Sequence, residues 1–139
     1  MAQTITLVAC AARKAVTPRP AAELYTSALF TKASAYAARH ADAWYILSAK
    51  HGLVGPHEII APYDETLNQM PIAERRAWAK RVLYDLCGIV LPGDTVIILA
   101  GRRYREYLVD SLEKLRCRVE IPMMGMRIGE QLRWLNQHL

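Results

Sequence analysis

The sequence predicts an α/β fold, a three-layer α/β/α sandwich with a small, mostly parallel sheet, in a single domain spanning residues 1–139. Three observations predict it. Short, nearly continuous apolar runs recur at 5–9, 43–47, 95–100 and 118–121, the pattern of strands buried on both faces. The segments between them are longer and place apolar residues at helical spacing. The alternation of the two is regular, with no internal repeat and no low-complexity stretch, and right-handed crossovers turn such an alternation into a parallel sheet with helices on its faces.

The first strand, 5–9, ends in Cys10-Ala11-Ala12-Arg13-Lys14 and a loop carrying Thr17, Pro18 and Pro20. Residues 21–40 predict one long helix on the spacing of Leu24, Leu29, Ala33, Tyr36 and Ala37. Tyr25, Ser27 and Lys32 are candidate polar contacts near its start, and Ser27 suits the cap of a break. The second strand is 43–47. Pro71 is a good first-turn residue for a helix that follows, with Ala77, Trp78, Val82, Leu86 and Ile89 as its buried stripe and Glu74, Arg75, Arg76, Lys80 and Arg81 as its wet face. After the turn at Leu91-Pro92-Gly93-Asp94 comes the third strand, 95–100. It runs into Gly101-Arg102-Arg103-Tyr104, a bare backbone followed by guanidinium forks that suit an anion. A helix with Tyr104, Leu108, Leu112 and Leu115 on one side precedes the fourth strand, 118–121, which leads through Pro122 to Gly125 into a last helix over 129–138.

Composition narrows the chemistry. Eighteen basic against thirteen acidic residues leave a net charge of +5, which favours nucleic acid or phosphorylated ligands over acidic partners. No apolar run approaches the ~20 residues of a membrane-spanning helix. The opening MAQTITLVAC lacks the basic start and long apolar region of a signal peptide, so the expectation is a cytoplasmic protein, monomer or homodimer, with no membrane partner. Three cysteines, Cys10, Cys87 and Cys117, give an odd number with no CxxC spacing and predict neither a disulfide framework nor structural zinc. Cys87 and Cys117 stand among apolar residues and are expected to be core thiols. No cofactor is expected, because no glycine-rich dinucleotide or phosphate-loop motif is present. No metal is expected either: His51, His57, Cys10 and Glu58 follow no recognised ligand spacing.

In a parallel sheet the four strand ends lie along one edge, where α/β proteins bind their ligands. That edge collects the junctions 10–14, 48–52, 101–104 and 122–125. The densest is WYILSAKHGLVGPHEIIAPYDETL, residues 44–67, where an apolar strand gives way to Ser48, Lys50, His51 and Gly52, and Pro56 and Pro62 bracket a loop with His57, Glu58, Tyr63, Asp64 and Glu65 beyond. Ser48 is flanked by Leu47 and Ala49 and lacks the glycine-flanked elbow of a serine nucleophile.

This segment resembles the signature of the peroxide-stress YaaA family on Ser48, Gly52, Leu53, Pro56, Glu58, Ile60, Pro62 and Tyr63. It departs from that signature at Ala49, Lys50, His51 and Asp64, where the family has glycine, leucine, tyrosine and arginine. As a whole the chain resembles a smaller, single-domain bacterial family of unassigned function that carries the SAKHGL form. Cys10 and Lys14 at a strand end are also similar to the archaeosine-synthase domain related to the uracil-DNA-glycosylase fold.

The residue inventory suits a nucleobase-containing ligand or DNA. The expected function is that of an N-glycosidase-like hydrolase acting on a nucleobase in DNA, in DNA-glycosylase fashion, or in a nucleoside or nucleotide. Candidate catalytic residues are Lys50 and His51, as donors to the leaving base, with Glu58 and Asp64, to orient water or stabilise an oxocarbenium ion. Candidate substrate-binding residues are Cys10, Lys14, Tyr25, Ser27, Ser48, Gly52, Tyr63, Gly101, Arg102, Tyr104 and Gly125, with Tyr63 offering a stacking face. The YaaA resemblance implies the alternative, a non-catalytic DNA-binding stress-response protein.

Overall fold

A computed structural model describes residues 2–139. In chain order the elements are β1 (Thr4–Ala9), β2 (Arg19–Pro20), α1 (Ala21–Leu24), α2 (Ala28–His40), β3 (Ala43–Ser48), β4 (Gly52–Val54), β5 (Ile59–Ile60), a 3-10 turn (Leu67–Gln69), α3 (Ile72–Cys87), β6 (Thr95–Leu99), α4 (Arg102–Arg105), α5 (Val109–Lys114), β7 (Arg118–Glu120) and α6 (Ile128–His138). The central sheet has the order β4-β3-β1-β6-β7. Its four strands β3, β1, β6 and β7 are mutually parallel and β4 folds back antiparallel on β3.

Ala9 lies level with Leu47 and Val8 with Leu99, so the carboxyl ends of β3, β1 and β6 share one edge, as the strand pattern predicts. The chain leaves β1 to one side for β3, then returns across it to β6 on the other. Right-handed crossovers in opposite directions put α2 on one face of the sheet and α3 on the other. Helix α6 packs on α2, and Trp78 of α3 meets Tyr104 of α4 edge to face at 5.7 Å. The core between these layers is filled by Ile5, Leu7, Ile46, Leu47, Val96 and Ile98 from the sheet, with Val82, Leu86, Leu112 and Leu135 from the helices. None of the described helices is long and apolar enough to cross a membrane.

Tertiary contacts override the expected helices in two places. The helix expected over 21–40 is two, because Tyr25 is extended and bridges Lys14, while Thr26 N–H donates to the Arg13 carbonyl at 3.0 Å. Ser27 caps the second piece, its Oγ accepting from Phe30 N–H at 3.2 Å. The helix expected through Leu115 likewise breaks into α4 and α5, with Leu115 outside the buried set. The presumed loop after Ser48 is partly sheet: β4 pairs with β3, and β5 with β2 as a separate antiparallel ribbon.

Three side chains also sit otherwise than expected. Cys87 is exposed near the end of α3, while Cys117 is buried as its apolar neighbours predict. Ala79, not Ala77, completes the buried face of α3. Arg75 leaves the wet face to donate to the Met70 carbonyl at 2.7 Å and pair with Glu106 at 3.2 Å.

Gly52, opening β4, has φ +75°, and a Cβ there would stand 3.1 Å from Arg81 Nε. Gly52→Ala is therefore expected to destabilise the protein by about 1–2 kcal/mol, from the left-handed backbone and the crowded guanidinium. Denaturant titration measures it; an unchanged midpoint would mean that the hairpin relaxes freely.

Candidate functional site

Where the chain turns one way out of β1 and the other way out of β6, the strand ends leave a crevice, the place at which open α/β sheets hold ligands. The crevice has a volume of about 420 Å3, and Cys10 and Ala11 form one side of it. Its apolar wall comes from Leu29, Phe30, Met123 and Met126, its polar groups from Ser27, Arg102, Arg105 and Gln131. Gly101 and Gly125 also line it, the latter at φ +78°. Gln131 Nε2 donates to the Met126 carbonyl at 2.9 Å, which leaves its amide oxygen for a ligand.

On the far side of the same two residues lies a second crevice of about 400 Å3. Cys10 and Ala11 line both, so this strand end is a ridge between two chambers. The second chamber differs in charge, with Lys14, Asp64, Glu65, Thr66, Asn68 and Gln69 around it and Tyr104 at its wall, where the first carries Arg102 and Arg105.

A buried polar network supports the ridge. The Cys10 thiol donates to Tyr104 Oη at 3.6 Å, and the same oxygen accepts from Leu67 N–H at 3.3 Å. Ser48, buried at the end of β3, donates to Tyr63 Oη at 2.8 Å and accepts from His51 N–H at 3.0 Å, while its carbonyl accepts from Trp78 Nε1 at 2.8 Å. The hydroxyls of Tyr63 and Tyr25 meet at 2.5 Å. Burial pushes the phenols of Tyr25 and Tyr104 up to about 12. It holds that of Tyr63 still higher, with the neighbouring Cys10 adding to the shift. All three are neutral hydroxyls at ordinary pH. Lys14 closes the top of this network, its Nζ 4.5 Å from the Tyr63 ring centre and donating to the Ala12 carbonyl at 3.1 Å.

This geometry gathers Cys10, Lys14, Ser27, Asp64, Gly101, Arg102, Tyr104 and Gly125 around the two chambers. Others fall outside them. Tyr63 is 6% exposed and is no stacking platform, and Tyr25 and Ser48 are likewise buried supports. Lys50 and His51 are exposed in the turn between β3 and β4. The His51 ring meets Tyr63 edge on at 5.6 Å, and Lys50 borders a separate groove with Trp78 and Arg81. Glu58 spends a carboxylate oxygen on Gly55 N–H at 2.5 Å, closing its own turn. Gly52 is buried against Arg81. Glu65, Thr66, Asn68, Gln69, Arg105 and Gln131 line the chambers and were not singled out from the sequence for this site; only Glu65, two residues beyond Tyr63 in the same polar stretch, carried a local signal.

A small α/β/α domain with a ridge-divided crevice at its topological switch point is the class that fold and site define. The chain belongs to a family of unknown function, DUF6884, whose family model matches residues 5–137. Comparison with the curated proteins finds no match, and comparison with the solved structures finds none either.

Proposed function

We propose that the protein is an N-glycosidase-like hydrolase that releases a nucleobase from a nucleoside, a nucleotide or DNA. The observation that carries this reading is the ridge: Cys10 and Ala11 line both a chamber with an apolar wall and two arginines and a chamber that carries Asp64 and Glu65. The base is placed against Leu29 and Met126, the half-buried part of the wall, with the Gln131 oxygen to accept from a ring or amino N–H. The glycosidic bond then crosses the ridge, and the sugar faces Asp64 and Glu65. In the reaction water oxygen bonds to the anomeric carbon as the carbon–nitrogen bond breaks. Asp64 takes the proton of the water and offsets the developing oxocarbenium charge, and the electron pair leaves with the base, which is protonated from solvent.

Incubation with a panel of nucleosides, their 5′-monophosphates and base-modified oligonucleotides, followed by chromatography of free base, tests the reading. Release of one base class is expected. If no substrate on the panel yields base while the ligands still bind, the site is not a glycosidase. Titration of a labelled oligonucleotide at rising salt separates polymer from small ligand. With a net charge of +5 and exposed Arg76, Arg102 and Arg103, binding at low salt is expected to weaken by about tenfold or more between 50 and 200 mM. Tight DNA binding without base release would favour the DNA-binding, YaaA-type role instead.

A further inference from the structure

Arg105 is half-buried in the wall of the first chamber and pairs with no carboxylate among the described residues. Its one hydrogen bond is from Nη1 to the Ala100 carbonyl at 3.0 Å, which fixes the guanidinium and leaves its other N–H groups free. A partly desolvated cation without a counter-ion is costly to hold, and a bound anion removes that cost. The surroundings point the same way. Arg102 lines the same chamber and is tied only at 3.8 Å to Glu106, a carboxylate already engaged by Arg75 at 3.2 Å. Ser27 Oγ accepts from Phe30 N–H, so its own proton is free to donate into the chamber.

We infer that the ligand is phosphorylated, and that Arg105, Arg102 and Ser27 form its phosphate subsite beside the base slot. The 5′ arm of the sugar reaches this subsite, because it lies on the same face of the sugar as the base and folds back over the ridge. Guanidinium forks and a hydroxyl are the groups that match phosphate oxygens. The inference rests on the nucleobase reading for the rest of the ligand, and the substrate is then a nucleotide in preference to a nucleoside.

Calorimetric titration with a nucleoside, its 5′-monophosphate, inorganic phosphate and an oligonucleotide lacking terminal phosphates tests it. The monophosphate is expected to bind at least about tenfold tighter than the nucleoside, with inorganic phosphate competing. Arg105→Gln is expected to erase that preference while leaving nucleoside affinity in place. Because Arg105 also ties down the Ala100 carbonyl, Arg102→Gln provides a second variant, whose side chain is 85% exposed and whose loss leaves the fold intact. If the oligonucleotide alone shows the Arg105-dependent gain, the subsite holds and the phosphate is a diester. If neither the monophosphate nor the oligonucleotide binds tighter than the nucleoside, or if a preference survives both substitutions, the inference is overturned. Phosphate binding without base release would refute the glycosidase and keep the subsite, whereas base release indifferent to phosphate would do the reverse.

Discussion

Between pH 10 and 12 the protein is expected to lose about 2–3 kcal/mol of stability from each of Tyr25 and Tyr104. Both phenols are raised by burial from 10.0 to about 12, so in that window the unfolded chain releases protons that the folded one retains. The contribution is complete below pH 10 and disappears as pH rises through 12. Tyr63, shifted in the same direction, adds to it. These losses are a sizeable part of the net stability of a small domain, so the urea midpoint is expected to fall clearly between pH 9 and pH 11.5. Urea titrations at pH 9 and pH 11.5 measure the slope. Tyr25→Phe and Tyr104→Phe each lower stability at pH 9, since hydroxyl partners are orphaned, yet flatten the alkaline decline. The difference in slope between wild type and variants isolates the phenols. A wild-type decline no steeper than that of the double variant would show that these hydroxyls reach solvent.

On the proposed glycosidase reading, Asp64→Asn is expected to lower base release by about 10²–10⁴-fold, with the melting temperature and nucleotide affinity nearly unchanged. The side chain is exposed in the second chamber and has no hydrogen-bond partner within the described residues, so its removal leaves nothing in the fold unsatisfied. Glu65→Gln beside it identifies which carboxylate activates the water: the more damaging substitution marks the base, the milder one the charge-stabilising neighbour. Glu58→Gln differs in kind. It weakens the carboxylate's bond to Gly55 N–H and lowers stability without touching either chamber. Full activity in both Asp64→Asn and Glu65→Gln would remove the second chamber from the chemistry.

The sheet was legible because its strands are continuous apolar runs, and a run such as Thr95-Val96-Ile97-Ile98-Leu99 suits only a strand covered on both faces. The shared edge followed from parallel order, and with it Cys10, Lys14, Gly101, Arg102, Tyr104 and Gly125 as residues near a crevice. Less visible was the sense in which polar residues point. Ser48 and Tyr63 look like site groups in sequence, but Tyr63 and Tyr25 have apolar rings large enough to serve as core, and their hydroxyls satisfy one another and Ser48 underneath the site. Spacing carries no sign of that. The helix break at Tyr25 was hidden for a similar reason, because it is enforced by backbone bonds to Lys14, Arg13 and Ala15, a different part of the chain. Arg105 and Gln131 resemble ordinary helix-surface residues until the folded chain brings their helices to the crevice.

Both borders of the sheet are brief. β4 and β7 have three residues each, and each carries its own obstruction: Arg81 stands over Gly52 at one border, and the exposed Arg118–Glu120 pair at 3.1 Å stands at the other. A neighbouring chain seeking to extend the sheet would find a short ladder and would have to strip water from charged groups to use it. Concentrated solutions should therefore resist aggregation through the borders of the central sheet.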